Sequence, residues 1–550
     1  MEEFRGKPLD GEWWEPDRPG AVYKGTLQIE EDQHGKLTLR GTERHLSSLP
    51  VHPAPRCFFG QLTSRYTYDV TLLSAGMERG PTTATPADPQ RETESEFYTN
   101  IIVLGGHVAR EDEPFISGAL LNLTGLEEWC DATGFSGQHQ HRDPRELATE
   151  TVNVSFQAST SPHYNLGSDR LLRFLSQYRG PRFFGRQKQV ALKERNTIEL
   201  VFADTLSVKQ LLNETHIWQT FITFGLRRAS YIDEITLLIH SSDENFARMG
   251  LLVPGRRADS PRGRSQRADA LFNQSKMGTK IGEYLRAWRE KYEIIDKAVL
   301  LFSGAAYQDT VYIHTNLLTY LQALEVLHRE LFEIDRFPDD KARKTTISAL
   351  RAAVPGTLPS QLQREIKDQL GYIGSPTLLD RLEYLYSLYP TTLRPLFRRG
   401  DADMTLLKDA RNFLTHYSDQ KAFGKEFLWS RDIFVLKEKT KLFLEICLLG
   451  AIGMSDTEIS ALMEQFEPYV GWCAESSVQM VNATTRSAMQ KASPNPPGPS
   501  EPAPSPARPS TPPEVPPPNV PSEVPATNPE PGPAREPLGV PPTGPSEVPP

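Results

Sequence analysis

Along roughly the first 270 residues, apolar positions come in short runs, β-branched or alternating with polar ones, separated by turn signals. That is the period-two signature of half-buried strands. The runs Val22-Tyr23-Lys24-Gly25-Thr26-Leu27, Tyr68-Asp69-Val70-Thr71-Leu72-Leu73, Ile101-Ile102-Val103-Leu104 and Thr197-Ile198-Glu199-Leu200-Val201-Phe202 carry it, and Ile235-Thr236-Leu237-Leu238-Ile239 is expected to be one of the last. A stretch dense in Thr, Pro and Glu at 80–96 predicts a surface loop. This half reads as a β-rich recognition domain with a few helices.

The pattern breaks near residue 255, where 255–267 carries five arginines against one aspartate and little to bury. Such a segment suits an exposed interdomain linker or a basic arm for nucleic acid, and the two are compatible. From about 280 to 470 the apolar period becomes helical. Leu317, Leu318, Leu321, Leu324, Leu327 and Leu331 mark one long amphipathic helix. Phe443, Leu444, Cys447, Leu448 and Ala451 mark a second, from about Ile433 to Gly453, with shorter helices expected at Thr345–Ala353, Gln361–Leu370 and Thr377–Tyr389. The expected fold class is therefore α+β, a β-rich N-terminal domain (1–270) followed by an all-α bundle (280–475).

Composition sharpens this outline at its end. Of 46 prolines, 24 lie between Pro494 and Pro550, in a stretch with no aromatic residue. Such a tail cannot repay the entropy of ordering, so 493–550 is expected to be disordered with polyproline II character. The tail's six glutamates and two arginines account for −4 of the net −9, which leaves the folded part near neutral for its size. Bulk charge thus argues against a protein that coats nucleic acid, while leaving room for a local basic site. Four cysteines, none in a CxxC pair, exclude a disulfide scaffold and a zinc ribbon and fit reduced thiols in a cytoplasmic protein. The start, Met1-Glu2-Glu3-Phe4-Arg5, lacks the apolar run of a signal peptide, and Leu442–Met454 is too short to span a bilayer, so no membrane association is expected.

The candidate chemistry lies on one predicted helix, Leu406-Leu407-Lys408-Asp409-Ala410-Arg411-Asn412-Phe413-Leu414-Thr415-His416-Tyr417. Leu406, Leu407, Ala410, Phe413, Leu414 and Tyr417 form its core stripe, with Asp403 as the expected N-cap. On a 3.6-residue helix Arg411 and His416 fall about 140° apart and flank the polar face. Asn412 and His416 are neighbours four apart, so the amide is placed to orient the imidazole. Two such helices facing each other across a dimer would bring both pairs around one cleft. Those residue types suit cleavage of RNA without a metal. One histidine takes the proton of a ribose 2′-hydroxyl, a second protonates the leaving oxygen, and arginine neutralises charge on the phosphate. A polar face carrying Arg, Asn and His is more often a solvated helix surface than an active site, and a non-catalytic RNA- or protein-binding module remains compatible. Arg40 and His45 repeat the spacing in an expected loop and carry no weight.

Arg411-Asn412-Phe413-Leu414-Thr415-His416 resembles the R-N-x-x-x-H signature of the HEPN superfamily, and its context, with Ala323-Leu324-Glu325 earlier and Leu442–Met454 later, resembles the HEPN domain of ApeA-type abortive-infection proteins. Gly11-Glu12-Trp13-Trp14-Glu15-Pro16, Gly25-Thr26-Leu27, Val70-Thr71-Leu72 and Leu126-Glu127-Glu128-Trp129 after Phe115 are similar to that family's N-terminal domain. The likeness covers roughly residues 5 to 460. It implies an anti-phage effector: a dimeric, metal-independent endoribonuclease that needs no cofactor, cuts RNA (tRNA in this family) and leaves a 2′,3′-cyclic phosphate. The N-terminal domain would sense a phage-derived trigger. Arg411 and His416 match the family's catalytic pair and Asn412 its usual polar companion. Some members carry a tyrosine two residues after the histidine, where this chain has Ser418, with Tyr417 adjacent to the histidine.

Around the motif, 392–441 carries eleven Lys/Arg against seven acids, and Lys408, Arg398 and Arg399 are the candidate RNA contacts. Tyr178–Arg186 mixes arginines with aromatics and fits either base stacking or a turn with core aromatics. His139-Gln140-His141 lacks further ligands to complete a metal site and reads as a polar loop, and no Walker A loop, GxSxG elbow or HExxH motif is present.

Overall fold

The computed structural model describes residues 4–476, apart from 43–54, 64–66, 80–91, 140–151, 159, 168, 185–188, 241–245, 255–269, 309–311, 333–336, 338 and 417–429. The arginine-rich 255–267 segment, the proline-rich tail, His45, Gln140, His141, Tyr417 and Ser418 therefore lie outside the described residues.

Fifteen strands fill the N-terminal half: β1 Pro8–Trp14, β2 Tyr23–Ile29, β3 Gly35–Thr42, β4 Arg56–Thr63, β5 Thr67–Arg79, β6 Glu92–Thr99, β7 Ile101–Leu104 and β8 Ile116–Leu123, then β9 Phe135–His139, β10 Val152–Phe156, β11 Tyr164–Asn165, β12 Arg170–Phe184, β13 Gln189–Leu206, β14 Ile232–His240 and β15 Phe246–Leu252. Thirteen of them form one sheet in the order β11-β12-β13-β8-β14-β15-β7-β5-β4-β1-β2-β3-β6, and β9 and β10 pair separately. The additional β5–β6 pairing closes β5-β4-β1-β2-β3-β6 into a six-stranded barrel. Its interior is filled by Trp13, Tyr23, Leu27, Leu37, Leu39, Phe58, Val70 and Phe97. Gly60 makes room for that packing, since a Cβ there would lie 2.4 Å from the Trp13 ring.

The rest of the sheet supports a helix that the strand pattern did not predict. After α1 (Leu126–Cys130), α2 (Val208–Leu226) opens with a capping box between Ser207 and Gln210 and is buried on most of its circumference. It lies between the sheet and the helical half. Phe224 stacks on Trp288 at 5.8 Å, and Phe221 meets Trp129 and Trp288. Strands also replace three expected loops: 92–96 belongs to β6, whose pairing with β3 and β5 satisfies its backbone, Arg40 sits in β3, and His139 ends β9, paired with Val152 of β10. Tyr178 to Phe184 is not a turn but the second half of β12, whose partner strand β13 satisfies its backbone.

The helical half comprises α3 (Gln274–Met277), α4 (Ile281–Tyr307), α5 (Ile313–Leu331), α6 (Asp340–Ala352), α7 (Ser360–Gln369), α8 (Leu378–Leu388), α9 (Pro390–Leu393), α10 (Asp401–His416), α11 (Arg431–Ala451) and α12 (Asp456–Met463), and 467–476 is again helical. The chain is thus an α+β protein with its strands first and its bundle second. Helix α5 is central, packing on α4, α8, α10 and α11 through Leu317, Leu321, Leu324 and Leu327. Helices α6 and α7 bury no residue fully. A single hydrophobic cluster runs from Leu121, Leu200 and Ile235 of the sheet, through α2, to Leu324, Phe413 and Leu448 of the bundle.

Candidate active site

Helix α10 is amphipathic in the expected sense. Leu407, Ala410, Phe413 and Leu414 are buried against α5 and α8, while Leu406 is only half-buried and Met404 joins the core in its place. The helix begins earlier than expected. Asp401 opens it, and Asp403 lies inside the first turn, where its carboxylate accepts from the Arg399 backbone N–H at 2.9 Å and from Arg399 Nε at 2.8 Å. Gly400, at φ +54°, makes the bend, and its carbonyl accepts from Asp403 N and Met404 N at 2.9 and 3.2 Å. Acids in the first turn and histidine in the last also match the helix dipole.

At 100° per residue, Lys408, Arg411, Asn412, Thr415 and His416 occupy one arc of about 140° opposite the core stripe. His416 is exposed on the final turn, and Arg411 and Asn412 are half-buried. Asn412 does not turn toward the imidazole. Its Oδ1 accepts from Arg411 Nη1 at 3.4 Å, and Thr415 Oγ1 donates back to the Arg411 carbonyl at 2.8 Å. Arg411 has no ion pair among the described residues, whereas Lys408 is bound to Asp409 at 2.8 Å. The arc thus offers an arginine without a carboxylate and an accessible imidazole at the end of a helix whose other side is anchored in the core.

The three candidate RNA contacts are not one patch. Lys408 shares the arc, but Arg398 and Arg399 lie before the helix begins, and about 15 Å of helix separates Asp401 from Arg411. Arg399 is occupied by Asp403. Arg398 instead lines a surface cavity of about 590 Å³ with Pro390, Thr391, Arg394 and Pro395. Arg394, hidden in the sequence within a generally basic window, was findable only through its four-residue spacing from Arg398. Among the described residues, no group of three or more His, Cys, Asp or Glu side chains is arranged to hold a metal ion, and no helix is long and apolar enough to cross a membrane.

The site is thus Arg-Asn-x-x-x-His on the last turns of a core-anchored helix, in a helical bundle that follows a β-barrel-bearing sheet. The comparisons with protein families are specific. The family model described as ApeA N-terminal domain 1 matches residues 8–288, more than half of the chain, and the Apea-like HEPN model matches 318–458, which includes Arg411 to His416. The chain belongs to the ApeA-type family and is a HEPN-type abortive-infection effector. No curated protein and no solved structure matches it.

Proposed function

We propose that the protein is a metal-independent endoribonuclease, active in the cytoplasm as a homodimer in which Arg411 and His416 of two protomers face one RNA cleft. One His416 accepts the proton of the 2′-hydroxyl as that oxygen attacks the adjacent phosphorus. The other donates a proton to the departing 5′-oxygen, so that the P–O5′ bond breaks and a 2′,3′-cyclic phosphate and a 5′-hydroxyl result. Arg411 binds the phosphate oxygens and stabilises the charge of the phosphorane. Asn412 holds the guanidinium, and Lys408 contributes positive charge on the same arc. The substrate is RNA, with tRNA as the leading candidate, and the β-rich half senses a phage-derived trigger and restrains the bundle until it arrives.

One observation carries this reading: Arg411, without an ion pair among the described residues, and an exposed His416 share the polar arc of a helix whose opposite face is buried in the core. Sequencing of RNA ends after brief expression of the wild type and of His416→Ala tests it. New 2′,3′-cyclic ends in the wild type alone are expected, and identical cleavage in both would overturn the assignment. RNA bound in a salt-dependent way but left intact by the wild type would instead favour a non-catalytic binding module.

A further inference from the structure

We propose that the Arg394/Arg398 cavity is a phosphodiester-binding subsite that grips the RNA backbone at the far end of α10 from His416. The inference rests on RNA being the substrate and adds where, beyond the point of cleavage, it is held.

The two guanidinium groups lie four residues apart, both exposed and both lining the cavity. Neither has an ion pair among the described residues, whereas Arg399 is paired with Asp403, Lys408 with Asp409, Lys437 with Glu438 and Arg431 with Glu475, and Lys439 is held by Ser476 Oγ at 2.6 Å. Two unpaired like charges around one concavity repel each other unless an anion lies between them. Guanidinium forks are suited to phosphate oxygens, and the Thr391 side chain, hydrogen-bonded to Asp456 behind it, forms part of the same wall.

The scaffold beneath them is fixed before any ligand arrives. The Thr391 and Thr392 backbone N–H groups donate to Asp456 at 2.7 and 3.1 Å, and Tyr469 Oη donates to the Thr392 carbonyl at 2.7 Å. Ser476 Oγ and Tyr386 Oη donate to the carbonyls of Leu396 and Phe397 at 3.1 Å each. Leu393, Leu396 and Phe397 anchor the segment in the core. The arginines therefore stand on a rigid base, which reduces the ordering cost of binding.

Among the described residues no aromatic ring lines the cavity, so none of them would stack a base there, and the contact is with backbone phosphate rather than with a nucleotide as such. Helix α10 spans about 22 Å from Asp401 to His416. A stacked strand rising ~3.4 Å per nucleotide covers that span with about six nucleotides. The subsite would favour long substrates over short ones without reading their sequence.

The experiment measures RNA binding by non-cleaving His416→Ala protein with and without Arg394→Gln/Arg398→Gln, on single strands of about twelve and about four nucleotides across a salt series. Loss of two phosphate contacts should weaken binding of the longer strand and reduce the slope of log affinity against log salt by about 1.4, leaving the shorter strand nearly unchanged. Arg394→Lys/Arg398→Lys should recover the slope, and unchanged thermal melting of the glutamine variant excludes a folding defect. Equal slopes and affinities on the longer strand would overturn the proposal. So would inorganic pyrophosphate that binds in an Arg394/Arg398-dependent manner while RNA binding ignores both residues, since the cavity would then serve a free phosphate. If the wild type fails to cleave while the arginine-dependent slope is present, the nuclease reading falls and the subsite stands.

Discussion

Arg227 Nε donates to Glu445 Oε1 at 2.7 Å, joining residues 218 positions apart in the chain. Arg227 is the left-handed C-cap of α2, at φ +57°, and Glu445 is fully buried on α11. The guanidinium lies 4.8 Å from the Phe466 ring centroid, and Lys441 Nζ approaches the same carboxylate oxygen at 3.9 Å. Glu445 Oε2 is buried without a hydrogen-bond partner among the described residues. The charge of Glu445 is therefore compensated by Arg227 from α2 and by Lys441 from its own helix, and the Arg227–Glu445 pair is a polar tie between α2 and α11.

Removing one member should be costly. Arg227→Ala strands a buried carboxylate and is expected to lower stability by about 3–5 kcal/mol, with Glu445→Ala comparable. The double variant Arg227→Met/Glu445→Leu should lie closer to the wild type than either single change, because the carboxylate and its main counter-charge leave together and only Lys441 loses a partner. Denaturant midpoints of the four proteins check this. Additive losses would show that the two residues act independently.

This tie was half legible. A glutamate inside the apolar run Leu442–Met454 stands out in the sequence, but nothing local names a partner 218 residues away. Helices α5 and α11 were legible because their leucines keep one face. Helix α2 was not: it is buried on nearly all sides, so Thr220, Phe221, Ile222 and Thr223 show no stripe, and their β-branched and aromatic composition resembles a strand. Barrel closure depends on β5 meeting β6, a register that no periodicity encodes. The Arg411–His416 segment was legible because it is contiguous. Asn412's choice of Arg411 was not, since four-residue spacing permits a contact with His416 without dictating the rotamer.

That choice makes Asn412 informative. With its amide on Arg411, Asn412→Ala should weaken the hold on phosphate and leave the acid–base histidine untouched. The expected result is RNA cleavage with raised KM, or lower activity, and an unchanged pH profile. Arg411→Ala should lose about 10²–10³ in rate, the usual cost of one transition-state donor, with no change in melting temperature. A shifted pH profile in Asn412→Ala would show that the amide contacts the imidazole when substrate is bound.

A buried histidine sets an acid limit on stability. His328 on α5 is buried, accepts at Nδ1 from Arg381 Nη1 at 3.1 Å, and packs against Phe332 and Tyr384. Burial, then the Arg381 charge, pushes its pKa down from 6.5 to about 4. Between these values the unfolded chain binds a proton that the folded chain refuses, so stability should fall as pH drops from about 6.5 toward about 4 and level off below. Thermal melting of wild type and His328→Gln across that window checks the sign. The variant should lose this component of the acid dependence, and identical slopes would assign it to other groups.

The proposed sharing of one cleft by two protomers makes a prediction about mixed dimers that needs no structure of the dimer. If two His416 side chains serve one RNA cleft as base and acid, a protomer carrying His416→Ala disables the wild-type protomer to which it is bound. Wild-type and variant chains refolded or co-expressed together in equal amounts would then retain about one quarter of the wild-type specific activity, because only dimers with two histidines cut. Independent sites, one per chain, would retain about one half. Titrating the variant against a fixed total of chain separates a quadratic from a linear fall. A linear fall would place a complete site within each protomer and reduce the dimer to a scaffold.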